Sequence, residues 1–266
     1  RKSTIKVRTK SMDLYQMIFQ RKSVRKYDLA PLEPSILKDL WQYIDSLKPL
    51  FSDIQYRIGA PQTHKRNMIP MKAPHYLSFY SEEKEGCLYQ TGYIMEKIAL
   101  YLTLKEIGTC WLGFAQPVDD QIADPKGQRF IIMLALGKGR DSIYRTNVQQ
   151  FQRKKIEEIT DVPELYSLLE AVRLAPSGLN RQPWFFSGTK ERIHVYREKL
   201  GWFKNSVYGK TDQIDLGIAL CHLEIAIQKE GKYCIWEWKE SETIYKDRYQ
   251  QICTVHLSDS NVESLS

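Results

Sequence analysis

The stretch LAPSGLNRQPWFF, Leu174 to Phe186, sets two prolines seven residues apart around a run of small and amide side chains. Pro176 and Pro183 each fix a backbone torsion and lack a donor, so the helical pattern that runs in from Glu164 must stop near Ala175. Between the prolines, Ser177, Gly178, Asn180 and Gln182 tolerate tight turns and carry short donors and acceptors that can face their own loop or a ligand. Trp184, Phe185 and Phe186 then open an apolar, strand-like run that anchors the loop to a core. A solvated connector can share this composition, but the Gln-Pro-Trp that follows Asn180 and Arg181 favours a rigid binding loop.

Working outward, 266 residues with 42% hydrophobic and 27% charged side chains suit a globular chain and leave no case for disorder. The longest apolar neighbourhood, Leu88 to Ile107, contains Glu96, Lys97, Lys105 and Glu106, which reads as a buried helix and not a membrane span. The formal charge of +7 points to an anionic ligand, with a cofactor phosphate or nucleic acid as candidates, although a lysine-rich solubilising surface gives the same number. Cysteines 87, 110, 221, 234 and 253 form no CxxC pair, so reduced thiols and a cytoplasmic location are expected. His64, His75, His194, His222 and His256 have no metal-type spacing, and no metal is expected. The opening RKSTIKVRTKS precedes Met12 and reads as a vector-derived or basic tail.

In chain order, Met12, Tyr15, Ile18 and Phe19 fall at helical spacing. They lead into Arg21, Lys22, Ser23, Val24, Arg25 and Lys26, four cations and a hydroxyl around one valine, which is either a solvated helix end or an anion site. A second helix is predicted from Pro34 to about Leu47, strands at Ile54–Ile58 and His75–Tyr80, and a long helix from Leu88 capped by a left-handed Gly108. Thr109 to Phe114 follow, then a strand at Phe130–Leu136, after which Gly137-Lys138-Gly139 reads as a loop or a phosphate neighbour, lacking the third glycine of a dinucleotide fold. The second part repeats the order: helix Glu164–Leu174, strands Trp184–Ser187 and Ile193–Tyr196, a long helix from about Gln213 to Gly231, and strands Tyr233–Trp238 and Ile252–Leu257. Trp236 and Trp238 alternate along a predicted strand, where core and the wall of a ligand pocket are both open and core is the expectation. The repetition reads as an internal duplication of an α+β unit, with halves at 12–147 and 162–258, a connector at 148–161 and tails at 1–11 and 259–266. The basic run has no counterpart in the second half, and the polar loop has only a poor one around Gly59 to Asn67. A site shared by the halves would then be complete once per chain.

Three motifs resemble the FMN-dependent nitroreductases: Arg21-x-Ser23-x-Arg25, Ala175-Pro176-Ser177-x-x-Asn180-x-Gln182-Pro183-Trp184, and Gly108-x-Cys110-Trp111-x-Gly113. The likeness runs from Met12 to about Leu257 and is to the fused subgroup, in which two pseudo-symmetric halves, each with an antiparallel or mixed sheet packed by helices, imitate the usual homodimer. The resemblance implies that Arg21 and Arg25, with Lys22 and Ser23 beside them, hold the FMN phosphate and pyrimidine edge. It implies that Pro176, Ser177, Gly178, Asn180 and Gln182 reach the same flavin, and that Leu112 and Gly113 offer backbone groups near N5 and O4. Arg153 matches a basic position that closes on the phosphate, with Lys154 and Lys155 as alternatives; Gln62 and Lys65 stand where ring contacts would be expected. Guanidinium forks suit phosphate oxygens, and a cation near N1 and O2 favours the reduced flavin. No catalytic acid or base is then needed. The implied activity is a ping-pong transfer from NADH or NADPH through FMN to a nitroaromatic, quinone or similar small acceptor, with reductive dehalogenation as a related chemistry. Neither nucleic acid nor membrane is an expected partner, and the pseudo-dimer is expected as a monomer or weak homodimer. A flavin-storage protein without turnover and a basic nucleic-acid-binding protein are the readings from other classes; the densest cations lie at motif positions, which favours the enzyme.

Overall fold

Prolines and left-handed turns set the element boundaries in this computed structural model, which describes residues 14–61, 63, 66–67, 71–117, 127–238 and 244–259. Gln62 and Lys65 lie outside the described residues. The chain divides into two compact units: Gln20–Gln150 forms one, and residues up to Phe19 with those from Phe151 onward form the other. Residues 14–18, the described part of α1, therefore belong with the later sequence, where Lys229 stands 4.0 Å over the Tyr15 ring.

In the Gln20–Gln150 unit, α2 (Pro34–Asp45) starts on proline and buries Leu40, Tyr43 and Ile44. The strands are β1 (Tyr56–Ile58), β2 (Arg66–Asn67), β3 (His75–Ser81), β4 (Gly108–Leu112), β5 (Ala115–Gln116) and β6 (Arg129–Gly137). Four of them make an antiparallel sheet in the order β1-β3-β6-β4, with Leu77 opposite Leu134 and Cys110 opposite Ala135. β3 is buried at every position, as a strand covered on both faces must be. Helix α3 (Cys87–Leu104) packs on this sheet and buries Ile94, Met95, Ile98 and Leu100 completely, as the apolar neighbourhood predicts.

Gly108 corrects one expectation. It does not cap α3; Glu106 takes the left-handed position at φ 61°, and Ile107 N–H reaches back to the Leu102 carbonyl at 2.8 Å. Gly108 instead opens β4, where a Cβ would sit 2.6 Å from Val24 Cγ2. Its glycine is required by close approach, not by the torsion.

In the other unit, α4 (Tyr166–Arg173) stops before Pro176, where the two-proline loop ends it. It packs against α5 (Trp202–Lys229). The sheet comprises β7 (Trp184–Gly188), β8 (Arg192–Glu198), β9 (Tyr233–Trp238), β10 (Ile244–Tyr245) and β11 (Tyr249–Ser258). All its pairings are antiparallel: β11 lies between β8 and both β9 and β10, and β7 pairs with β8. Trp184, Phe186, Val195, Leu220, Leu223 and Val255 fill the core.

Two further expectations change here. Helix α5 begins at Trp202, well before Gln213, with Trp202, Phe203 and Val207 exposed on its first turns and not packed into the core. Trp236 and Trp238 are half-buried and not core: β9 pairs only with β11 among the described strands, and the two rings stack on one another 6.1 Å apart along it. The five cysteines form no disulfide and four of them are buried, and among the described residues no helix is long and apolar enough to cross a membrane.

Candidate functional site

The basic run is extended chain pinned to the edge of the first sheet. Ser23 bridges Thr109, and Val24 N–H donates to the Thr109 carbonyl at 2.9 Å. This joins the Arg21-x-Ser23-x-Arg25 motif to the Gly108-x-Cys110-Trp111-x-Gly113 motif, with Val24 seated on the bare Cα of Gly108. Lys22, Ser23, Arg25 and Lys26 line a shallow cleft of about 200 Å³ with Asp141 and Ser142, below the roughly 300–1,000 Å³ of whole-ligand pockets.

Arg21 is only 4% exposed, and its Nε lies 3.4 Å from Oε1 of Glu96, a residue of α3 with no exposed surface. Glu96 Oε2 accepts a 3.1 Å bond from Trp111 Nε1, so one buried carboxylate ties both motifs together. The Nη1 of Arg21 is buried without a partner among the described residues. Arg145 adds a third guanidinium by donating to the Arg21 carbonyl. Burial and the neighbouring charges of Arg21 and Arg25 push the Arg145 guanidinium down to about 10. Leu112 is buried, whereas Gly113 is exposed and has nothing within 4 Å of where a side chain would project.

The polar loop is gripped in the other unit. Pro176 and Gln182 are buried, Ser177 and Gly178 half-buried, and Leu179 and Asn180 exposed. Leu179, Asn180 and Gln182 all take positive φ, at 51°, 58° and 51°, a backbone that L-residues rarely adopt. Gly178 N–H donates to both carboxylate oxygens of Asp215, at 3.0 and 2.9 Å. Arg181 forks onto Asp212 at 2.9 and 3.0 Å. Burial, with the nearby Asp212 charge, pushes the Asp215 carboxyl up to about 8, against the pull of the Gly178 bond and Arg181.

The segment 152–154 is laced to this loop. Arg153 Nε donates to the Ala175 carbonyl at 3.0 Å and Nη1 to Asn180 Oδ1 at 2.7 Å, while Asn180 Nδ2 donates to the Gln152 carbonyl at 2.7 Å. Gln182 Oε1 accepts from Lys154 N–H, and Lys154 Nζ reaches the Gln182 carbonyl, both at 2.8 Å. Burial lowers the Lys154 ammonium, the nearby Glu198 opposing it. Lys155 is exposed, its N–H bonded to Glu158.

The expected residues thus fall into two clusters, one per unit: Arg21, Lys22, Ser23, Arg25, Leu112 and Gly113 in the first, and Arg153, Pro176, Ser177, Gly178, Asn180 and Gln182 in the second. Sequence reasoning missed Glu96, Arg145, Asp212 and Asp215. The only signal for Glu96 was an acid inside an apolar helical run; for the aspartates it was their three-residue spacing.

Residues 13–227 of the 266 match the family model described as "Putative TM nitroreductase". The crystal structure of a "putative nitroreductase" from Thermotoga maritima superposes with a TM-score of 0.63 at 20% identity, covering 94% of this chain and 95% of that one. A nitroreductase family protein from Clostridium difficile gives 0.44 at 13% identity over 54% and 94% of the two chains. The NADPH:FMN oxidoreductase of Vibrio harveyi gives 0.39 at 12% over 50% and 72%. No curated protein matches the chain.

Proposed function

The chain belongs to this nitroreductase family, and from that membership we propose an FMN-dependent oxidoreductase that uses NAD(P)H to reduce nitroaromatic, quinone or similar electron-poor acceptors. The observation that carries the reading is the arginine cluster. Arg21, with a buried and unpartnered Nη1, stands beside Arg25 and Arg145, whose mutual repulsion an anion would relieve. Three guanidiniums with Ser23 fit a phosphate monoester and a polar ring edge far better than a neutral metabolite. When bound, FMN supplies reversible hydride acceptance between the reductant and the acceptor. In this proposal Arg25 and Lys22 meet the phosphate from the cleft, Arg21 lends fixed positive charge, and the open backbone at Gly113 leaves room for a flat ring. In the other unit Pro176, Ser177, Gly178, Asn180 and Gln182, with Arg153 bonded to Asn180, are the remaining residues proposed to contact the cofactor.

The fused-half organisation is part of the same proposal. It is supported by the repeated order of helix, strands, long helix and strand, and by matching ends of the long helices. Glu106 and Gly231 take the left-handed position after α3 and α5, and the next N–H reaches back five residues, Ile107 to Leu102 and Lys232 to Ile227. A single FMN drawing on both motif clusters is what the substitution test addresses. Purified protein should carry close to one FMN per chain, bleached by NADH or NADPH, and Arg25→Ala and Asn180→Ala should each lower occupancy. Two FMN per chain would overturn the divided motif set; no flavin after incubation with excess FMN would overturn the oxidoreductase reading.

A further inference from the structure

We propose that one stripe of α5, Tyr208, Thr211, Asp212 and Asp215, is the positioning element that holds the 176–182 loop in its cofactor-binding shape, with Asp215 its central member. The consequence for cofactor affinity rests on the FMN reading above; the mechanical part does not.

Positions spaced by three, four and seven residues share one face of a helix. Each of these four side chains meets the loop. The Arg181 guanidinium lies 4.6 Å over the Tyr208 ring and forks onto Asp212 at 2.9 and 3.0 Å. Thr211 Cγ2 would be 2.5 Å from any Cβ at position 178, so only glycine lets the loop approach this far. Asp215 takes the Gly178 N–H on both its oxygens. The helix thus holds the loop at residue 178 and again at residue 181.

What lies between and beyond those anchors is backbone that would not stay as it is unaided. Leu179 and Asn180 both sit at positive φ, and Gln182 follows at 51°. Gln182 N–H closes the turn onto Ser177 Oγ at 3.0 Å, and its side chain bonds the Asn180 carbonyl at 3.0 Å. Those contacts are local and would travel with the loop. The bonds to Asp212 and Asp215 fix it to the rigid core helix, whose residues from Ile214 to Leu220 are all buried. A loop already fixed loses less freedom when a ligand arrives.

Asp215 is also an expensive residue to place here. It is 3% exposed, and the cation nearby is already committed to Asp212. Buried carboxylates without their own cation are rare, and a neutral side chain would fill the space at less cost. The acceptor it gives Gly178 is the return for that cost. Asp212 and Arg181 are the charged groups that act on Asp215.

The test compares Asp215→Asn, which keeps an acceptor oxygen, with Asp215→Leu, which removes it, reading hydrogen exchange at the Gly178 amide, FMN dissociation constant and melting temperature. Leaving the Gly178 N–H without its acceptor should cost roughly five- to a hundredfold in exchange protection at Gly178 and a similar factor in FMN affinity for Asp215→Leu. Asp215→Asn should stay within about threefold of the parent. Gly178→Ala approaches the same contact from the loop and should reproduce the affinity loss, relieved by adding Thr211→Ala, which keeps the test valid if Asp215→Leu does not fold. Unchanged protection of Gly178 in Asp215→Leu would overturn the clamp. Equal FMN affinity in both Asp215 variants would also overturn it, whatever the melting temperatures do. A parent protein that takes up no FMN would refute the flavin reading alone, with the exchange data still deciding whether the stripe holds the loop.

Discussion

Removing the carboxylate of Glu96 is the sharpest probe of how the first cluster is held. Glu96 is fully buried, Arg21 is 4% exposed, and they meet at 3.4 Å with Trp111 completing the group at 3.1 Å. Breaking a buried pair by deleting one partner costs about 3–5 kcal/mol, because the remaining charge stays desolvated. Stranding the Trp111 donor adds about 1–3 kcal/mol. Glu96→Leu should therefore cost about 4–8 kcal/mol before relaxation, and Glu96→Gln less, since its amide oxygen can still serve Trp111. Arg21→Met alone takes the Arg21 guanidinium from the buried Glu96 carboxylate and should cost about 3–5 kcal/mol, yet Arg21→Met with Glu96→Leu should cost far less than the sum. Urea unfolding of the four proteins closes the cycle, with a coupling of at least about 2 kcal/mol expected. Additive single effects, or a Glu96→Leu cost below about 1 kcal/mol, would show that this carboxylate does not organise the cluster.

Gly108→Ala forces a methyl into Val24 at 2.6 Å and should destabilise by about 1–3 kcal/mol; Val24→Ala in the same protein should recover part of this, and no recovery would refute the packing role. Asp215 makes stability pH-dependent, because its carboxyl is raised from 3.8 to about 8 by burial. A raised folded value stabilises fully below the unfolded one and is lost as pH rises through the folded one, so unfolding free energy should fall between about pH 4 and 8 relative to Asp215→Asn. A pH-independent difference between the two proteins would contradict this.

The punctuation of the chain was legible because it is local. Pro34 starts α2, Pro176 follows the end of α4, and the apolar stretches at His75–Ser81 and Trp184–Gly188 are strands, each decided by residues adjacent in sequence. The candidate site was legible where a residue type announces itself, as in the arginines of 21–25 and the amides of 180–182. It was illegible where function depends on what a side chain meets. Glycine after a helix usually marks a left-handed cap, yet Glu106 bears that strain and Gly108 is small for Val24's sake. Residues 202–207 form helix with Trp202, Phe203 and Val207 exposed, so their apolar character does not mark a face turned to the core. An edge position for Trp236 and Trp238 follows from which strands pair, and sequence spacing does not carry that.

The missed residues have one physical theme. In each unit the long helix turns acid side chains inward: Glu96 from α3 to Arg21 and Trp111, Asp212 and Asp215 from α5 to Arg181 and Gly178. An acid in an apolar helix reads from sequence as an interruption facing solvent, because an uncompensated buried carboxylate is so costly. That cost makes each of these residues informative once its partners are seen. A motif of arginines would otherwise repel itself, and a loop of left-handed residues would otherwise relax. A carboxylate on a rigid core helix answers both problems: it holds the guanidinium by charge and the backbone N–H by hydrogen bond, and both sites are then shaped before any ligand arrives.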